Sequence, residues 1–150
     1  MQQVNFHYAD RRLTIPGKNQ IKQCVLYIFK KEKVSLDRLN YIFCSDQYLL
    51  QINKQFLNHD FYTDIITFDL SDTNKTIGEI YISLDRVKDN ATQNGVPFKE
   101  ELVRVIFHGA LHLCGYKDKK KVDIQLMRKK EDYYLLQLKS QKIVPRITVS

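Results

Sequence analysis

The sequence predicts a small α+β domain in which a sheet is covered on one side by helices. Three observations predict it. The chain has 150 residues, with 43% hydrophobic and 27% charged content, the balance of a globular domain able to bury its own core without disulfides or structural metals as staples. Stretches that alternate apolar and polar residues crowd into the first 83 positions, and segments with helical spacing dominate the remainder. Strands early and helices late argue against a regularly alternating, doubly wound fold.

Each element has a local cause. Residues 2 to 8 set Val4, Phe6 and Tyr8 against polar neighbours, the period of a half-buried strand. Pro16-Gly17 then interrupts the chain before an amphipathic helix over about 18 to 33. Leu39 to Cys44 gives a second strand. Ser45 with Asp46 supplies an N-cap for a helix running to about Leu57, with Leu49, Ile52 and Phe56 on its apolar face. Strands over about 64 to 69 and 78 to 83 flank the turn-rich Ser71-Asp72-Thr73-Asn74-Lys75. Ser83 caps a helix that stops near Asn94-Gly95, and Pro97 opens another that ends at Gly115. A last helix over about 122 to 138 offers Ile124, Met127, Tyr134 and Leu138 for packing. One domain spanning residues 1–150 is expected, and with no surplus apolar stripe the sequence is silent on oligomeric state.

Charge and cysteine usage narrow the function classes. The 24 Lys+Arg against 17 Asp+Glu leave +7. Residues 117–150 carry 10 basic and 4 acidic groups, against 14 and 13 in residues 1–116, so the excess is local. A stripe so placed fits a polyanion-binding face, and on charge alone it fits a solvated surface equally. Cys24, Cys44 and Cys114 are an odd number set inside apolar stretches, the usage of reduced thiols in the cytoplasm rather than of a secreted disulfide framework. The first seven residues lack a basic region followed by an apolar one, and the longest unbroken apolar run is Cys24 to Phe29. Neither a signal peptide nor a membrane partner is expected.

The segment Glu100 to Gly115 carries the chemistry. Its helix is apolar almost all round, yet Glu101, Arg104, His108 and His112 follow at intervals of three, four and four and form one polar stripe. Such a stripe is costly to bury unless each group has a partner. Two imidazoles at i and i+4 can converge on one cation, and they can equally be hydrogen-bonded core histidines. The following residues favour the cation. Gly115 allows a left-handed turn that folds Tyr116-Lys117-Asp118 back, so that Asp118 reaches the same ion. Two His and one carboxylate leave a fourth position open, the arrangement of a catalytic rather than a structural zinc site. The competing reading leaves Asp118 as a loop charge, with Asp123 or water as the third ligand. Cys114 points to a different helix face and is expected in the core.

These residues also carry a resemblance. His108-Gly-Ala-Leu-His112-Leu-Cys-Gly115-Tyr116 resembles the H-G-x-L-H-L-x-G-Y-D-H signature of the YbeY family of metal-dependent endoribonucleases, which take part in ribosomal RNA maturation. Thr63-Asp64-Ile-Ile-Thr-Phe68 is similar to the family's T-D-V-L-S-F strand, and Gly78-Glu79-Ile-Tyr-Ile-Ser83 to its G-D-I-x-I-S strand. Asn53 fits as well, so the matched segments span about residues 53 to 118 in register. The resemblance implies a small mixed sheet flanked by helices, with the metal at the end of a central helix. Two departures stand out. Asp118 replaces the family's third His, with Lys117 in place of the preceding Asp; a carboxylate remains a competent zinc ligand but makes harder divalent metals more acceptable. Leu57 follows Phe56 where the family commonly has Arg, which removes an expected phosphate contact; Arg104 or His59 could supply that charge, although His59 also reads as an ordinary loop residue.

The expected reaction follows from the site. A bound zinc ion lowers the pKa of water and polarises a phosphoryl oxygen. Zinc peptidases of the H-E-x-x-H type place a Glu base after the first ligand, and Gly109 stands there. RNA hydrolysis asks for less, since Lys117, Lys119, Lys120 and Lys121 beside the metal loop can position phosphates, or form only a solvated loop. Asp64 is expected either to orient a ligand imidazole or to bond local amides. The leading expectation is a single-strand-directed, zinc-dependent endoribonuclease acting on ribosomal RNA and ribosomal subunits. Two alternatives are a ribosome-assembly binding protein with a structural metal, and a metallohydrolase of a non-RNA ester. No residue is placed to be named general base.

Overall fold

A computed structural model describes residues 3–140. Gln2, expected in the first strand, and the basic stretch beyond Ser140 lie outside the described residues. Strands β1 (Gln3–Tyr8), β2 (Leu36–Cys44), β3 (Ile65–Asp69) and β4 (Thr76–Ser83) form one sheet in the order β1-β2-β4-β3. β1 and β4 both run parallel to β2, and β3 runs antiparallel to β4, so the sheet is mixed. Helix α1 (Lys18–Lys31) supplies the crossover that the parallel β1 and β2 need. Helices α2 (Asp46–Leu57), α3 (Leu84–Asn94), α4 (Phe98–Leu113) and α5 (Lys121–Ser140) complete the domain.

Alternation along the strands sorts side chains onto two faces. Leu39, Tyr41, Phe43, Ile80 and Ile82 enter the main core with Ile28, Phe29, Val87, Ile106, Phe107 and Tyr134 from the helices. The opposite face presents Cys44, Ile66, Phe68 and Tyr81, and Leu49 and Ile52 of α2 pack there. The expectation of helices on one side is therefore corrected: α2 covers part of the second face. Its cause is legible in the paired apolar residues Ile65 and Ile66, which point to opposite sides of one strand. Phe56, expected on the apolar face of α2, is largely exposed and packs edge-to-face with Phe68. Ile124 is exposed too, whereas Met127 and Tyr134 carry the packing of α5.

Both expected serine caps are in place: Ser45 accepts from the Tyr48 amide and Ser83 from the Arg86 amide. α4 is the central helix, touching α1, α3, α5, β3 and β4. Tyr41 Oη, fully buried, donates to the Ile106 carbonyl at 2.7 Å and ties the helix to β2. At Gly109 the helix backbone lies against the sheet so closely that a Cβ would meet Ile80 Cδ1 at 2.8 Å and Ile65 Cδ1 at 3.0 Å. That contact places the neighbouring His108 at the rim of a cleft above β3.

Candidate metal centre

His108 and His112 project from the same face of α4, their ring centroids 4.6 Å apart. α4 ends at Leu113, two residues before the expected stop, and Gly115 at φ 105° turns the chain back while the Tyr116 amide donates to the Leu111 carbonyl. The returning loop delivers Asp118, whose Oδ2 lies 3.1 Å from His108 Nε2 and 3.2 Å from His112 Nε2. One ligand atom from each of the three residues lies within 4.8 Å of the others, the spacing of a site that could hold a metal ion. The side chains keep 21%, 27% and 37% of their surface exposed, and they line an open cleft of about 920 Å³.

The outer nitrogens of both rings are engaged. His112 Nδ1 donates to the Tyr116 carbonyl at 2.9 Å, an oxygen that only accepts, so in the neutral ring Nε2 presents its lone pair inward. His108 Nδ1 lies 2.6 Å from Glu131 Oε2 of α5. Two imidazole lone pairs and a carboxylate oxygen therefore face one another, and such a gathering of acceptors needs a cation. This donor set fits a divalent metal. The same crowding also draws a proton: burial opposes the His108 imidazolium, but the hydrogen bond and charge of Glu131, with the charges of Asp118 and Asp64, outweigh it and raise the pKa above the usual 6.5.

Two supports hold the ligands in place. Glu131 has only 6% of its side chain exposed and also accepts from Arg104 Nη1 at 2.9 Å. On the far side of the loop, Glu32 accepts from the Tyr116 hydroxyl at 2.7 Å and from the Tyr134 hydroxyl, with Lys130 at 3.4 Å. Glu32 thereby fixes the residue whose carbonyl orients His112. The Cys114 thiol is pushed up to about 12 by burial and then by the Glu32 charge, so it contributes packing rather than a ligand or nucleophile.

The family profile described as endoribonuclease YbeY matches residues 4–139. The chain belongs to the YbeY family. A relative named endoribonuclease YbeY from Cytophaga hutchinsonii is 52% identical over 130 residues, which cover 86% of this chain and 91% of the relative. One of the same name from Karelsulcia muelleri is 41% identical over 140 residues, covering 93% and 99%. The solution structure of TM1509 from Thermotoga maritima has 27% identity and a TM-score of 0.63, over 95% of each chain.

Within this YbeY fold, the remaining expected residues fall into distinct places. Asp64 lines the cleft, where burial raises its pKa against the lowering charge of His108, and its carboxylate takes a 3.4 Å contact from Asn90 Nδ2. The carboxylate behind the His108 ring, at its Nδ1, is Glu131 and not Asp64. Arg104 borders the cleft, but its guanidinium is committed to Glu131 and to Asp132 at 2.7 Å. His59 is an exposed loop residue stacked on Phe61, and both rings line the cleft. Of the four lysines, all exposed, Lys119 lines the cleft and Lys117, Lys120 and Lys121 stand outside its lining. Asp123 is not among the clustered acids. Sequence reasoning missed Glu131 and Glu32. Glu131 lies 23 residues from His108, on a helix whose approach is set by tertiary packing alone; Glu32 is the C-cap residue of α1, with nothing local to mark it as a partner of Tyr116 and Tyr134.

Proposed function

We propose that the protein is a metal-dependent endoribonuclease that cuts single-stranded RNA during ribosomal RNA maturation, in the cytoplasm and on RNA of ribosomal subunits. The observation that carries this reading is the convergence of His108 Nε2, His112 Nε2 and Asp118 Oδ2 at the wall of an open cleft, in a chain of the YbeY family. Partial exposure of all three ligands suits a centre that admits substrate, whereas a structural site is closed. No described helix is long and apolar enough to cross a membrane.

Residues 1–150 act as one domain in this reading, with Lys119 and Arg128 of its basic C-terminal region in the cleft lining. His108, His112 and Asp118 hold one zinc ion. A divalent ion there would supply a water of lowered pKa and neutralise charge on a phosphoryl oxygen. Glu131 and the Tyr116 carbonyl hold the two imidazoles in the orientation that keeps both Nε2 atoms inward. Asp64 adds a neighbouring charge to His108. Arg104 assists by holding Glu131 in place, His59 assists from the cleft lining, and Lys119, with Lys117, Lys120 and Lys121 near it in the chain, steers the RNA backbone.

Metal analysis of the purified chain beside His112→Ala and Asp118→Ala, followed by cleavage of a single-stranded RNA with and without chelator, tests the assignment. Cleavage by the wild type that chelator abolishes, with metal and activity lost together in both variants, is the expected result. Undiminished cleavage by His112→Ala overturns it.

A further inference from the structure

The cleft lining also carries an aromatic pair, His59 and Phe61, whose stacked faces play no part in the reaction just described. α2 closes at Asn58, which adopts a left-handed φ of 56°, and the chain then enters the loop 59–63. Asn53, a side chain with 1% exposure, holds this loop: its Nδ2 donates to the Phe61 carbonyl at 2.9 Å, while its own carbonyl accepts from the His59 amide at 3.1 Å. Two adjacent aromatics then part. Tyr62, 46% exposed, is engaged by the scaffold: its ring lies 5.3 Å from the Arg86 guanidinium and its hydroxyl accepts from Gln47. Phe61 turns outward, 55% exposed, and stacks on His59 with centroids 5.0 Å apart and planes 22° from parallel.

An exposed phenylalanine on a loop fixed by a buried hydrogen-bonding residue calls for an apolar partner. The ligand that meets phosphate chemistry and an aromatic face together is an unpaired nucleobase. We propose that His59 and Phe61 form a base-stacking subsite, on which one unpaired base of the RNA strand extends the aromatic stack while its backbone crosses the metal residues. This rests on the reading of the cleft as an RNA-cutting site and names what selects the single strand. A base inside a duplex is already stacked on both faces and cannot reach the pair. The subsite accepts any base, because stacking uses the π-face that all bases share.

The experiment measures anisotropy binding and cleavage kinetics of a short single-stranded RNA, and of the same RNA with one abasic nucleotide moved along it, using the full metal-loaded chain. Phe61→Ala should raise Kd and KM about tenfold, leave kcat within about twofold and leave the salt slope of binding unchanged, since stacking releases no counterions. Phe61→Tyr should behave as wild type. One abasic position should weaken wild-type binding by a similar factor yet add nothing in Phe61→Ala. Wild-type behaviour of Phe61→Ala on an RNA that the parent cuts, or multiplication of the two penalties, overturns the subsite and leaves the endoribonuclease reading standing. A parent chain that neither binds nor cuts RNA overturns both.

Discussion

Glu131 Oε2 and His108 Nδ1 lie 2.6 Å apart, which joins α5 to the metal-ligand face of α4 across 23 residues of sequence. The bond makes the last described helix part of the site: α5 both packs Met127 and Tyr134 into the core and presents the carboxylate that sets the ring of a ligand.

Glu131→Gln keeps the shape of the side chain and removes its charge. Loss of a carboxylate behind a metal-bound imidazole weakens metal affinity by about 10- to 100-fold, and the ordered fold should persist. Titration of the metal-free protein with zinc, for wild type and variant side by side, reads the shift; unchanged affinity would show that the ring keeps its ligand orientation without the Glu131 charge.

Asp118→His restores the imidazole that the family carries at this place. Softer nitrogen ligation favours zinc over harder cations such as manganese or magnesium. Competition titrations should therefore give a zinc preference several-fold greater in the variant than in the wild type. A lower zinc preference in the variant would contradict the assignment of Asp118 as a ligand.

Glu32 couples the metal loop to acid stability. Burial works to raise its pKa, but the hydroxyls of Tyr116 and Tyr134, then the Lys130 ammonium, outweigh it and hold the carboxyl below the usual 4.5. A depressed folded-state value means that the stabilisation is fully present above about pH 4.5 and is lost as pH falls through the lower folded value. Glu32→Gln should cost about 1–3 kcal/mol at neutral pH, and its difference from wild type should close in the acid. Urea unfolding at a series of pH values reads both.

Lys119 is the one lysine of its cluster in the cleft lining. If it neutralises one phosphate, Lys119→Gln should lower the slope of log affinity against log salt by about 0.7 for single-stranded RNA. The same substitution at Lys120 or Lys121 should change the slope less. Equal effects at all three positions would point to a diffuse field instead of a placed contact.

Much of this architecture was legible because its causes are local. Ser45 and Ser83 announced two helix starts through their capping hydroxyls, and both are found doing so. β2 begins at Leu36, three residues ahead of expectation, because Asp37 and Arg38 break the alternation at a shift in the register with β4. In the site, the i, i+4 imidazoles and the glycine turn to Asp118 were readable, since they sit within eleven consecutive residues. Glu131 and Glu32 were not, because nothing local ties either to a histidine or tyrosine that the folded chain brings beside it. Neither was the division between Tyr62 and Phe61, two neighbours of similar chemistry that only the positions of Arg86 and Gln47 tell apart.

Gly109 sets a boundary on what this scaffold can become. A glutamate at this place would turn the histidine pair into the motif of a zinc peptidase, but its Cβ would press into the side chains of Ile80 and Ile65. The two chemistries are thus separated by the close approach of a helix to a sheet, and any side chain at this position requires Ile80 and Ile65 to shift. Reprogramming the centre toward amide bonds would mean rebuilding the floor beneath the helix first.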